Sequence, residues 1–141
     1  MADKEIIMAE RVKVNCDGGS RGNPGPSAYG VVITTKDGDM IEEFGAYLGE
    51  QTNNYAEYSG VVAALEKLKD LNIFEADFYL DSELIVKQLN GVYKVKNPGM
   101  IELNSQVKQL SKGMDLSFTH VYRKDNKQAD AIVNEVLDSN R

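Results

Sequence analysis

Three strand-like segments in succession, followed by a change to helical spacing, leave few folds open to this chain of 141 residues. Residues 11–17 alternate between apolar and polar side chains, residues 28–35 are rich in β-branched side chains, and residues 40–48 form a third such segment. The turn between the second and third segments is centred on Asp37 and Gly38, a pair typical of hairpins. The three segments therefore predict an antiparallel meander.

The spacing of apolar residues then becomes helical, at Val61, Ala64, Leu65 and Leu68. This stripe predicts a helix over 56–71, capped by Asn53 or Asn54. Further on, the pattern predicts a strand, two helices, a strand and a final helix capped by Asp125 or Asn126, over 75–81, 82–90, 101–111, 115–122 and 126–139. Because helical crossovers join parallel strands, the fourth strand should run parallel to a meander strand. We predict an α/β fold with a mixed five-stranded sheet flanked by helices.

Length and composition indicate one domain over residues 1–141, with residues 1–9 as a loose leader. No apolar run approaches the ~18–20 residues that cross a membrane. The single cysteine suits a reducing compartment, and we expect a cytoplasmic monomer. The net charge of −6 argues against a nucleic-acid partner. Charge can be uneven, however, and the second half of the chain holds Lys87, Lys94, Lys96, Arg123, Lys124 and Lys127.

One glutamate lies where an apolar residue is expected. Glu57 precedes Val61 by one helical turn and falls on the apolar stripe of the same helix. Burying an unpaired carboxylate costs several kcal/mol, which suggests a functional reason. The alternative is that the first turn lies at the edge of the core, where water or helix N–H groups would meet the carboxylate.

Three aspartates also lie at the ends of elements. Asp17 ends the first strand, Asp81 ends the fourth, and Asp130 lies in the first turns of the last helix. Each has an ordinary interpretation, as a turn former, a helix cap or an acid favoured by the helix dipole. However, parallel neighbouring strands would bring Asp17 and Asp81 to the same sheet end, where open sheets bind ligands.

Glu57 and Asp130 lie at the starts of helices that could begin near the same edge. Together with Asp17 and Asp81 they would place four carboxylates there, which would repel one another strongly. Two unit charges about 4 Å apart repel by ~4 kcal/mol at an effective dielectric constant near 20. Protons or cations must relieve this repulsion. Carboxylate oxygens favour hard ions such as Mg²⁺ or Mn²⁺, and a pair of divalent ions would balance four charges and support displacement at phosphorus.

Four segments together resemble type 1 ribonuclease H, in the compact, archaeal-type form that lacks a basic protrusion. They are, in chain order, DGGSRGNPGP, TNNYAEYSGVVAAL, YLDSELIVKQLNG and HVYRKDNKQADAIVNEVLD. The resemblance as a whole extends over roughly residues 12–137. The resemblance implies sheet order 3-2-1-4-5 and two-metal cleavage of the RNA strand of RNA–DNA hybrids, leaving 3′-hydroxyl and 5′-phosphate ends. It also implies two Mg²⁺ ions, with Mn²⁺ as a substitute, held by Asp17, Glu57, Asp81 and Asp130.

The same resemblance implies the substrate contacts. Glycines of the first motif would leave room for a sugar–phosphate backbone, and polar side chains would bind it; the residues are Gly18, Gly19, Ser20, Asn23, Thr52, Asn53, Asn54 and Ser82. Arg123 resembles the arginine that archaeal-type members carry where others use a histidine, and it would steady a phosphate. The only histidine, His120, falls within the fifth strand and is interpreted as structural.

Departures from the family keep other functions open. Residues 91–100 form a short connection, and the chain has no tryptophan, so tight substrate binding is in doubt. One alternative is the same fold acting on double-stranded RNA. Others are a non-catalytic nucleic-acid-binding module and an acidic interaction domain without a nucleic-acid partner.

Overall fold

The computed structural model describes residues 11–140, so the leader expected at residues 1–9 lies outside the described part. Its five strands are β1 (Val12–Ser20), β2 (Gly25–Thr34), β3 (Met40–Gln51), β4 (Glu75–Leu80) and β5 (Asp115–His120). They form one sheet in the order β3-β2-β1-β4-β5. β1 pairs with β2 in antiparallel fashion and with β4 in parallel, which confirms the predicted crossover and sheet order.

Four helices flank the sheet: α1 (Asn53–Asp70), α2 (Glu83–Leu89), α3 (Pro98–Leu110) and α4 (Lys127–Ser139). A short 3₁₀ turn, Arg123–Asp125, connects β5 to α4. The predicted order of strands and helices is therefore confirmed. Within residues 11–140, no helix combines the length and apolar character needed to span a membrane.

The start of α1 differs from the sequence prediction. The predicted caps, Asn53 and Asn54, are the first two helical residues, and Thr52 is the cap. The Thr52 hydroxyl oxygen accepts a hydrogen bond from the Tyr55 N–H at 3.1 Å. Asparagine is the better cap of the two in general, and both residue types are preferred caps, so residue type alone did not identify Thr52.

The first strand is longer than predicted. β1 continues through the glycine-rich motif to Ser20, because Gly18 and Gly19 still pair with Tyr29 and Ala28 of β2. The last strand is shorter, ending at His120. The glycine-rich motif is therefore part of the sheet, and its first residues are held by strand pairing.

The helices cover both faces of the sheet. On one face, α1 packs Val61, Leu65 and other apolar residues against Val14 and Cys16 of β1. On the other face, Val133 and Leu137 of α4 pack against Ala28 of β2. Asn53 at the start of α1 bonds to Ser20 of β1, and Asn126 before α4 bonds to Cys16, so both helices begin near the end of the sheet where β1 and β4 finish.

A candidate metal site at the carboxyl end of the sheet

Three carboxylates converge where β1 and β4 end. The β1–β4 ladder finishes at the pair Cys16 and Leu80, so Asp17 and Asp81 follow at neighbouring positions. Glu57 reaches the same place from α1. Each of these three residues offers one carboxylate oxygen within 4.8 Å of the other two. We call Asp17, Glu57 and Asp81 the carboxylate cluster.

Glu57 is as buried as Asp17, and its two carboxylate oxygens have different surroundings. The residue is 5% exposed, and its Oε1 accepts a hydrogen bond from the Gly18 N–H at 3.3 Å. Its Oε2 is buried and has no hydrogen-bond partner among residues 11–140. A carboxylate at the edge of the core, bonded to water or to N–H groups of its own helix, is therefore not what the structure shows. A buried carboxylate oxygen that accepts no hydrogen bond requires a proton or a cation.

The protonation of the cluster follows from burial and mutual repulsion. Burial, and then the charge of Asp81, raises the pKa of Asp17 from 3.8 to about 7. Burial and the charge of Asp17 raise the pKa of Glu57 well above its ordinary value. Burial also raises the pKa of Asp81, although the Arg123 guanidinium opposes that change. Without a cation, the cluster therefore retains protons near neutral pH.

Asp130 lies beside the cluster and outside the set of three closely spaced oxygens. Its Oδ1 accepts a hydrogen bond from the Arg123 guanidinium at 3.3 Å, and Asn134 donates to its backbone oxygen at 3.2 Å. The Asp130 carboxyl nevertheless contributes to the raised pKa of Asp17, through hydrogen bonding and charge. The structure thus brings three of the four predicted ligands together and places the fourth on the adjacent wall.

A cleft of about 560 Å³ opens over these four carboxylates. Six of the eight residues expected to contact substrate line it: Gly18, Gly19, Ser20, Asn53, Asn54 and Ser82. Asn53 bonds to two residues of the glycine-rich motif. Its Oδ1 accepts a hydrogen bond from the Ser20 backbone N–H at 2.8 Å, and its own backbone N–H donates to Asn23 Oδ1 at 3.0 Å. Asn23 and Thr52 are outside the cleft lining and support Asn53 and the start of α1.

Comparisons with known proteins agree with this arrangement. A family model described as reverse transcriptase-like matches residues 15–136. The ribonuclease HI of Halobacterium salinarum is 42% identical over 129 residues, which cover 91% of this chain and 65% of that protein. The crystal structure of the Halobacterium RNase H1 superimposes with a TM-score of 0.88 and covers 92% of this chain and 98% of that one. The chain belongs to the type 1 ribonuclease H family.

Two further structures of this family are similar. The N-terminal RNase H domain of Rv2228c from Mycobacterium tuberculosis is 38% identical, with a TM-score of 0.89, covering 93% of this chain and 96% of that one. LC11-RNase H1 in complex with RNA/DNA hybrid is 42% identical, with a TM-score of 0.87, covering 91% and 97%. The chain spans only 36% of the whole bifunctional protein Rv2228c.

Gly18 has a packing role that the sequence analysis of this ribonuclease H domain did not predict. A Cβ atom at Gly18 would lie 2.3 Å from the Ala56 carbonyl carbon and 2.4 Å from the Glu57 nitrogen. The missing side chain therefore makes room for α1, and the prediction that it makes room for a nucleic-acid backbone is not needed to explain it. Gly19 is different, because its nearest neighbour would be a Val133 methyl group at 3.7 Å.

Besides His120, three polar residues of the cleft had no predicted role in binding or catalysis. Arg21 and Tyr122 line it, and so does Asn134. Arg21 lies within the glycine-rich motif, which could have drawn attention to it, whereas only the fold brings Tyr122 and Asn134 to the cleft. His120 belongs to β5, as predicted, although it is the last residue of the strand and not an interior one. It also lines the cleft, with its ring 5.7 Å from the Tyr122 ring.

Proposed function

We propose that this domain is a metal-dependent endoribonuclease that hydrolyses the RNA strand of RNA–DNA hybrids, leaving 3′-hydroxyl and 5′-phosphate ends. The observation that carries the proposal is the buried Oε2 of Glu57, which lies beside Asp17 and Asp81 and has no hydrogen-bond partner in the described part of the chain. Family membership supports the same conclusion, since a relative 42% identical to this chain has been solved with RNA/DNA hybrid.

The donor set fits hard divalent cations. Asp17, Glu57 and Asp81 offer only oxygen, which suits Mg²⁺ or Mn²⁺. We propose that Asp17, Glu57 and Asp81 would hold two such ions, and that Asp130 would complete the site as the most mobile ligand. The chemistry that such ions supply when bound is activation of a water and stabilisation of the leaving 3′-oxygen.

The chain's own residues orient the substrate. We propose that Glu57 also reads the adjacent 2′-hydroxyl, which distinguishes RNA from DNA because it is both donor and acceptor. Ser20, Asn53 and Ser82 would contact the strands along the cleft. Arg123 is always protonated, so it would steady a phosphate rather than move a proton.

Double-stranded RNA is the second candidate substrate. The connection between α2 and α3 is short, and Val92 and Tyr93 within it are exposed. A short connection offers few groups with which to select one duplex over another. A non-catalytic binding module is less consistent with the site, because acids facing phosphates weaken binding unless a cation lies between them.

A panel of labelled RNA–DNA, RNA–RNA and DNA–DNA duplexes, each with Mg²⁺, Mn²⁺ or chelator, tests reaction, substrate and metal together. We expect cleavage of the RNA strand of the hybrid with either ion and none in chelator. Asp17→Asn should abolish it, whereas Asp70→Asn, at the far end of α1, is the matched control and should not. Full activity in Asp17→Asn, or cleavage in chelator, would contradict the proposal.

Binding measurements separate the remaining alternative. An acidic interaction domain should bind no duplex, whereas binding through phosphates weakens steeply as salt increases. We also propose a single domain that acts as a monomer in the cytoplasm. Size-exclusion chromatography with light scattering checks the monomer, and fractionation of cells checks the location.

A further inference from the structure

A buried asparagine connects the site to β1. Asn126 occupies the cap position of α4 and is 1% exposed. Within the described part of the chain its side chain makes no capping hydrogen bond to α4. Instead its Nδ2 donates to the Cys16 carbonyl oxygen at 2.8 Å, and its Oδ1 accepts from Asn15 Nδ2 at 3.0 Å. The carboxamide therefore joins the start of α4 to β1.

The anchoring point on β1 is next to the carboxylate cluster. Cys16 is the last β1 residue paired with β4, and Asp17 follows it directly. The carbonyl group that receives the Asn126 hydrogen bond is therefore the one in the peptide bond to Asp17. If α4 moved relative to that peptide bond, the distance between Asp130 on α4 and Asp17 on β1 would change.

The backbone of Asn126 holds the other side of the site. Its N–H donates to the Arg123 carbonyl oxygen at 2.9 Å, and its carbonyl oxygen accepts from the Asp130 N–H at 3.1 Å. Arg123 and Asp130 are themselves paired at 3.3 Å. One residue thus connects the Arg123–Asp130 pair to the strand that carries Asp17.

We propose that Asn126 is a positioning residue that sets the distance between Asp130 and the carboxylate cluster. The proposal rests on the proposed function, since it concerns the same metal site. A capping asparagine needs only one acceptor oxygen and usually lies at the surface. This carboxamide is buried, and both its nitrogen and its oxygen bond to β1. These bonds to the sheet, and not helix capping, therefore explain why an asparagine stands at position 126. Groups that orient metal ligands typically change metal affinity or activity by about ten- to a hundredfold when they are removed.

The chain offers a matched control in Asn104. It is also a buried asparagine, 6% exposed, and its Nδ2 donates to the Tyr58 hydroxyl oxygen at 3.3 Å. It lies in α3 and is not part of the cleft lining. Asn104→Ala therefore removes a buried carboxamide and its hydrogen bond, as Asn126→Ala does, without touching the link between α4 and β1. The Tyr58 hydroxyl keeps its hydrogen bond to Gln88 Oε1 at 2.7 Å.

The test combines Mn²⁺ titration by calorimetry with steady-state cleavage of an RNA–DNA hybrid. For Asn126→Ala we expect Mn²⁺ affinity and kcat to fall by about ten- to a hundredfold, with KM changed less than threefold. Asn104→Ala should leave all three within about threefold of the wild-type values at a comparable loss of Tm. Asn15→Ala removes only one of the two side-chain bonds and should give a smaller effect of the same kind.

Equal Mn²⁺ affinity and kcat in Asn126→Ala and Asn104→Ala would overturn the proposal. If Asn126→Ala does not fold, the comparison is repeated with Asn126→Ser and Asn104→Ser, and equality there overturns it in the same way. If the wild-type protein cleaves no duplex, the proposed function fails, and the Mn²⁺ titration still decides whether Asn126 positions the site.

Discussion

Replacing Asp17 by asparagine should make the metal-free protein more stable. Folding raises the pKa of Asp17 from 3.8 to about 7, chiefly through burial and the charge of Asp81. A shift of that size corresponds to about 4 kcal/mol of destabilisation once the carboxylate is ionised in both states. Asparagine also loses contacts that the acid makes with its neighbours, so we expect a net gain of about 2 to 4 kcal/mol at pH 8.5 in chelator.

The gain should depend on pH with a definite sign. Wild-type Asp17 binds its proton more tightly when folded than when unfolded, so the stability of the wild type decreases as pH rises from about 4 to about 7. The advantage of Asp17→Asn should be small near pH 4, grow through that interval and remain constant above it. Urea unfolding, followed by circular dichroism in chelator at four pH values, measures this difference.

Asp77, in the first half of β4, is a control for which the same substitution should change the stability in the opposite direction. Burial alone would raise its pKa, but hydrogen bonds from Ser117 and Arg11 lower it overall. Asp77→Asn should therefore destabilise the protein, on the order of 1 kcal/mol for a partly exposed ion pair. The electrostatic argument is refuted if Asp17→Asn is no more stable than the wild type at pH 8.5, or if its advantage does not vary with pH.

Gly18→Ala should cost about 3 kcal/mol, because its Cβ would overlap the backbone of α1, whereas Gly19→Ala has room; urea midpoints compare the two. Mg²⁺ at a hundredfold excess over its Kd should stabilise the wild type by about 2.7 kcal/mol, with most of this shift lost in Asp17→Asn, as thermal unfolding would show. Metal binding near pH 6.5 should release protons from Asp17, detectable by calorimetry in two buffers. Arg123→Ala should shift the acid limb of the measured pH–rate profile to higher pH, because the Arg123 charge lowers the pKa of Asp81.

The order of elements could be predicted because its signals are local. Alternation in β1, the helical stripe through Val61 and Leu65, and the single helical crossover before β4 each depend on residues close in the sequence. Those signals also located the site, since parallel neighbours finish at one edge of the sheet. Glu57 was detectable for the same reason, because a charged residue on an apolar stripe is a local contradiction.

Other features depend on distances that the sequence does not encode locally. Asp130 begins a helix near the correct edge, but whether its carboxylate joins the three others or lies beside them depends on a few ångströms in the position of α4. The partners of Asn126 are more than a hundred residues away in the chain. A pattern that predicts a helix cap therefore could not predict that the cap side chain would bond the sheet.

The glycine-rich motif explains how a charged site can be built into a stable sheet. Because Gly18 has no side chain, the backbone of α1 packs directly on β1, and the Gly18 N–H reaches Glu57 Oε1. This close packing of α1 on β1 places the buried carboxylate of Glu57 beside Asp17, which precedes Gly18 in the same strand. A larger residue at position 18 would move α1 outward, admit water to Glu57 and relax the repulsion that raises the pKa values of both acids. Gly18→Ala should therefore lower the pKa of Asp17 as well as the stability, a pairing that NMR titration of the side-chain carboxyl carbons can detect. If the helix shifted without a change in that pKa, close packing of α1 would not be the cause of the protonated cluster.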